Sequence, residues 1–173
     1  MNNKNIYLIG MPSSGKSTLG RQLAAALNHI FVDMDELIIQ NEGRSVFQIF
    51  KESGEQYFRE IESKLLRNFE PDQRFVISTG GGVPCFFNNI AFIKQNGISI
   101  YLDVTPQILF DRIHISTKND RPLIDKSDSE KLWINLNEKY NYRYQFYSKA
   151  DIIITEDFTV GHILSELDKV ECH

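Results

Sequence analysis

The sequence predicts an α/β fold on a parallel sheet, and two observations carry that expectation. Short runs rich in β-branched and aromatic residues alternate with longer segments of helical period, as in a sheet covered by helices on both faces. The first of these runs passes into a turn of glycine, serine and lysine and then into an apolar-periodic segment, so strand, glycine-rich loop and helix follow one another directly.

Five strands are expected, at about 5–9 (NIYLI), 30–33 (IFVD), 75–79 (FVIST), 98–103 (ISIYLD) and 151–155 (DIIIT). Between the first two, residues 17–27 make a helix with Leu19, Leu23, Ala26 and Leu27 along one side. Residues 34–70 form a helical excursion in which Phe58, Ile61, Leu65 and Phe69 recur at spacings of three and four. Two capping boxes, Ser45-x-x-Gln48 and Ser53-x-x-Gln56, mark successive helix starts there, because a serine oxygen takes a free N-terminal amide and the glutamine returns the bond. YNYRYQFY, at 140–147, reads as a helix whose Tyr and Phe residues cover the sheet, with Arg143 the exception. The stretch 118–130 is polar, proline-containing and poorly periodic, as a loop would be.

Composition limits what such a chain can do. With 173 residues, 42% of them hydrophobic, it can bury one core, and one domain over 1–173 is expected, with a monomer as the expected state. A formal charge of −4 argues against nucleic acid as a partner, since phosphate neutralisation needs a basic face. Cys85 and Cys172 lie far apart and outside any CxxC pattern, so neither a disulfide framework nor a zinc site is indicated, and a reducing cytoplasm fits. No run approaches the roughly 18 apolar residues of a membrane span.

The chemistry begins in the first loop. Gly10-Met11-Pro12-Ser13-Ser14-Gly15-Lys16-Ser17 fits GxxxxGK[ST] between a strand and a helix. Gly10 and Gly15 let consecutive amides point inward around a polyphosphate at the helix N-terminus, which makes Met11, Pro12, Ser13, Ser14, Gly15, Lys16, Ser17 and Thr18 the expected ATP-binding set. Lys16 would reach the β- and γ-phosphates and Ser17 would hold Mg²⁺. At the end of the second strand, Asp33 and Asp35 stand two apart, and a period of two would aim both into one crevice. Asp33 could orient water on magnesium while Asp35 accepts a proton, or Asp33 could only cap the next helix. The third strand ends in Gly80, Gly81 and Gly82, which implies close approach of the backbone to something, or a flexible loop. Arg59, Arg121 and Arg143 each read as solvated cations when taken singly, and Arg59 can pair with Glu55 or Glu62 on its own helix.

Taken in order, GMPSSGKSTLG, DMDELI, GRSVFQIFKESGEQYFREIE, STGGG, IYLD, DRPLI and RYQFY resemble the shikimate kinase family over nearly the whole chain. The first segment is shared by many nucleotide-binding proteins, whereas DMD, GEQ-x-FR-x-IE, GGG and RPL together are far more restrictive. The resemblance implies a three-layer P-loop kinase fold of the nucleoside monophosphate kinase type, with sheet order 2-3-1-4-5. It implies phosphoryl transfer from MgATP to the 3-hydroxyl of shikimate, a step of aromatic amino acid biosynthesis. It makes Asp35 the hydroxyl-bonding group and base, and makes Arg59 and Arg143 a clamp on the substrate carboxylate. Gly80, Gly81 and Gly82 would offer amides to the same ligand, beside a substrate-binding helical region at about 34–61. Arg121 corresponds to an arginine on a lid at about 116–126 that closes over the transferring phosphate, and Lys16 and Arg121 join Asp35 as catalytic groups. Arg112 is similar to an adenine-stacking arginine, although its spacing to Arg121 is about two residues longer than the family pattern. The family lacks an aspartate where Ser78 stands, so metal binding falls to Ser17 and Asp33. Two readings compete with this one: a related small-metabolite kinase such as a gluconate kinase, and a nucleotide-binding module without catalysis.

Overall fold

The computed structural model describes residues 3–115, 129–156 and 158–171. Its five strands are β1 (Asn5–Ile9), β2 (Ile30–Asp33), β3 (Phe75–Ser78), β4 (Gly97–Leu102) and β5 (Ile152–Ile154), all parallel, in the order β2-β3-β1-β4-β5. The order implied by the resemblance and the strand positions expected from the sequence both hold, with ends shifted by a residue or two. β1 lies at the centre and all five of its residues are buried. The lid expected at 116–126, and Arg121 with it, lies outside the described residues.

Alternation along the strands builds two cores, one on each face of the sheet. Ile6 and Leu8 of β1 face helices α1 (Lys16–Leu27) and α7 (Val160–Glu171), where they pack with Leu19, Leu23, Ile163 and Leu167. Tyr7 and Ile9 face the other way, toward α4 (Asn89–Asn96), α5 (Pro106–Ile115) and α6 (Ser129–Tyr147), and join Ile93, Leu109, Leu136 and Tyr147. Helices α2 (Met34–Glu42) and α3 (Val46–Leu66) leave the sheet and make a third cluster from Ile38, Ile49, Phe58, Ile61 and Leu65. That small separate core gives the excursion its own rigidity beside the strand ends. Among the described residues no helix is long and apolar enough to cross a membrane.

The helix starts need one correction. Ser45 forms the expected capping box, its oxygen accepting from the Gln48 amide at 3.2 Å while the Gln48 side chain accepts from the Ser45 amide at 2.8 Å. The second box does not form. α3 is interrupted at Gly54, whose φ of 83° and ψ of 171° belong to glycine alone, and the chain re-enters the helix there. The Ser53 hydroxyl instead accepts from Arg44 at 3.2 Å, and Gln56 donates to Glu60 at 3.1 Å. A second correction falls on α6. Tyr140 and Tyr147 pack on the core, but Tyr142 is exposed and Tyr144 reaches the core only with one edge of its ring, against Tyr101, because one helix face cannot hold aromatics at every second position.

Candidate active site

A cavity of about 1030 Å³ opens at the carboxyl ends of β1, β2 and β3, where ligands sit in open parallel sheets. One wall is the loop between β1 and α1. Gly15 takes a left-handed φ of 100° just before α1, and α1 has no side-chain cap, so its first amides are left to a ligand. Met11, Pro12, Ser13, Gly15, Lys16, Ser17 and Thr18 all line the cavity, whereas the Ser14 side chain is buried within the loop. Lys16 is folded back onto its own loop, with Nζ donating to the Gly10 and Met11 carbonyls at 2.9 Å each. Arg112 lies behind the loop, donating to the Ser13 and Ser14 carbonyls at 3.1 Å, so its guanidinium holds the loop in shape.

Asp33 and Asp35 both reach the cavity, but not for the reason their spacing suggests. β2 ends at Asp33, and Asp35 already belongs to the first turn of α2, so the period of two does not apply. Asp33 has two partners. One oxygen caps α2 by accepting from the Asp35 amide at 3.0 Å, and the other accepts from the Ser17 hydroxyl at 2.5 Å. Ser78 stands 3.2 Å from the same hydroxyl. This cluster of two hydroxyls and one carboxylate suits Mg²⁺, a hard cation that takes one or two protein oxygens and completes its shell with phosphate and water. Among the described residues no group of three or more His, Cys, Asp or Glu could hold a metal without such help.

The far wall is built from α3, the glycine turn and α6. Arg59 is only 5% exposed and its carboxylate partners come from its own helix. Nε and Nη2 donate to Glu55 at 3.1 and 2.9 Å, and Nη1 donates to Glu62 at 2.5 Å. Phe58 and Phe86 lie against the guanidinium, with ring centroids 5.3 and 4.8 Å from its carbon. Arg59 is therefore no solvated cation: it is buried, pairs within its own helix as the sequence allowed, and lines the cavity. Glu62, which the sequence offered only as a helix neighbour of Arg59, is 1% exposed and lines the cavity as well. Burial pushes its carboxyl up to about 7; the Arg59 charge and bond pull against this, while the Asp35 charge adds to the rise.

The three glycines answer to close approach. A β-carbon on Gly82 would sit within the Arg59 guanidinium, 2.5 Å from Cζ. On Gly81 it would lie 2.8 Å from Arg143 and 2.9 Å from Pro12, and on Gly80 it would lie 2.5 Å from Glu62 and 3.2 Å from Asp35. Side chains are missing here because the charged groups of the site occupy their space. Arg143 enters from α6, half-buried, with Nη1 3.9 Å from the Met11 sulfur. Tyr147, one turn further along α6, donates to the Gly81 carbonyl and so ties that helix to the glycine turn.

A sequence model of the shikimate kinase family matches residues 12–169. The shikimate kinase of Clostridium botulinum is 42% identical over 151 residues, covering 87% of this chain and 86% of the relative. Among solved structures, the shikimate kinase of Bacteroides thetaiotaomicron superposes with a TM-score of 0.85 at 31% identity, covering 98% of each chain. That of Acinetobacter baumannii, in complex with shikimate, gives 0.82 at 29%, covering 98% of this chain and 93% of the other. A gluconokinase from Sinorhizobium meliloti reaches 0.61 at 16% identity, with 96% and 92% covered, which is a likeness of fold alone. With a family model matched over most of its length and relatives of this identity and coverage, the chain belongs to the shikimate kinase family.

Proposed function

We propose that this protein transfers the γ-phosphoryl group of ATP to the 3-hydroxyl of shikimate, giving shikimate 3-phosphate and ADP. The observation that supports this most directly is that Lys16, Ser17, Asp35, Arg59 and Arg143 line one continuous cavity. A nucleotide-binding module would have no use for the acceptor wall.

The triphosphate lies along the amides at the start of α1, and Lys16 exchanges the Gly10 and Met11 carbonyls for phosphate oxygens, which as anions make the stronger bond. Ser17, with Asp33 through water, would hold Mg²⁺, which when bound neutralises charge between the β- and γ-phosphates. Arg59 and Arg143 fix the substrate carboxylate, and the Gly80–Gly82 amides add neutral donors. Asp35 receives a hydrogen bond from the attacking hydroxyl. In the transfer, the hydroxyl oxygen bonds to phosphorus, the bridging oxygen leaves with ADP, and the proton passes to the Asp35 carboxylate and on to solvent. The Arg121 side chain would add positive charge over the moving phosphoryl group. A coupled assay of ADP release tests the assignment. Release should require shikimate, and release with gluconate but not shikimate would move the activity to the competing kinase.

A further inference from the structure

The charges on the acceptor wall do not balance as the residues implied by the resemblance would suggest. Arg59 is held by two carboxylates, with Nε, Nη1 and Nη2 each committed to one of them, so its field is partly offset before any substrate arrives, by Glu55 and by Glu62 in its ionised form. It retains N–H groups that can direct a ligand, with reduced net attraction. Arg143 has no carboxylate within ion-pair distance among the described residues. One helical turn before it on α6 stands Lys139, half-buried and lining the same cavity, itself without a hydrogen bond or ion pair among the described residues. Positions i and i+4 share a helix face, so both cations are presented together.

We propose that Lys139 is a further substrate-binding residue, which with Arg143 supplies the net positive charge that draws in the acceptor's carboxylate. The proposal rests on the reading of shikimate as acceptor. Burial holds Lys139 below the ordinary lysine range, and the Arg143 charge lowers it further; Glu55 opposes this and Arg59 adds to it. Lys139 shares one face of α6 with Arg143, which the assignment above places on the acceptor's carboxylate, so that carboxylate is the anion assigned to Lys139. Two cations one turn apart, with no carboxylate bridging them among the described residues, repel each other, and an anion seated between them removes that repulsion.

The test compares the unsubstituted protein with Lys139→Met and Lys139→Arg, using shikimate and its methyl ester as acceptors. With shikimate, Lys139→Met should raise the acceptor KM about tenfold, as for loss of a half-exposed charge-assisted bond, with kcat and the ATP KM within about twofold. Lys139→Arg should restore most of the affinity. With the methyl ester, which carries no anion, Lys139→Met and the unsubstituted protein should have the same KM. An unchanged KM for shikimate, an equal rise for acid and ester, or a fall in kcat at constant KM would overturn the proposal. Absence of turnover with shikimate in the unsubstituted protein would overturn the acceptor assignment and this proposal with it.

Discussion

The two walls of the cavity handle charge in opposite ways. The nucleotide wall comes from one contiguous stretch, residues 10–18, and its lysine rests on neutral carbonyls of its own loop. The acceptor wall is gathered from α2, α3, the glycine turn and α6, and its arginine is buried against two carboxylates with aromatic rings around it. A group resting on its own loop can be lost with little harm to the fold. A charge buried against a carboxylate that is itself buried cannot, because removing Arg59 strands Glu62 away from water.

That contrast can be broken by substitution. Arg59→Ala leaves Glu62 buried without its cation, and folding stability should fall by about 3–5 kcal/mol in denaturant melts, with a raised shikimate KM. Unchanged stability would show that the acceptor wall tolerates loss as readily as the nucleotide wall. Lys16→Met should lower kcat by about 10²–10³ while the melting temperature barely moves; a loss of stability matching that of Arg59→Ala would erase the distinction. Gly82→Ala, by forcing a methyl into the Arg59 guanidinium, should destabilise by about 1–3 kcal/mol and weaken shikimate binding. Ser45→Ala removes half of the capping box at the entry into α3 and should remove about 1 kcal/mol in denaturant melts, the smallest of these losses.

Titration sharpens the same comparison. The Glu62 carboxyl is raised from 4.5 to about 7, so between these values the folded protein binds a proton that the unfolded chain releases. Its contribution therefore favours folding as pH falls through about 7 and is lost as pH rises through it. Asp151, at the start of β5 and far from the site, behaves oppositely. Burial works against its charged form, but the Ser99 hydroxyl and amide and Lys94 outweigh it and lower its carboxyl, so its stabilisation persists above the usual carboxylate range and fades in acid. Melts across pH should lose the first component in Glu62→Gln and the second in Asp151→Asn.

The nucleotide wall was legible in the sequence because every group it needs is local. A strand, two glycines, a lysine and a hydroxyl at fixed spacing specify a backbone path, and the helix that follows supplies the field. Asp33 shows the limit of local reasoning. The strand-period argument placed both aspartates in the crevice, and they are there, but through a helix cap that the strand pattern did not contain. The second capping box failed for a similar reason, since Gly54 breaks the helix one residue after Ser53 and leaves that hydroxyl to Arg44.

By itself the sequence determined the strands, the phosphate loop, the first cap of α3 and the likeness to a family of kinases, all of which rest on neighbours within a few residues. Only the tertiary structure decided why the glycines are glycines, that Glu62 is buried near Asp35, and that Lys139 and Arg143 line the same cavity as Arg59. Residues 59, 82, 139 and 143 lie on elements far apart in sequence that meet in one cavity, and the burial that shifts the charges there depends on that meeting.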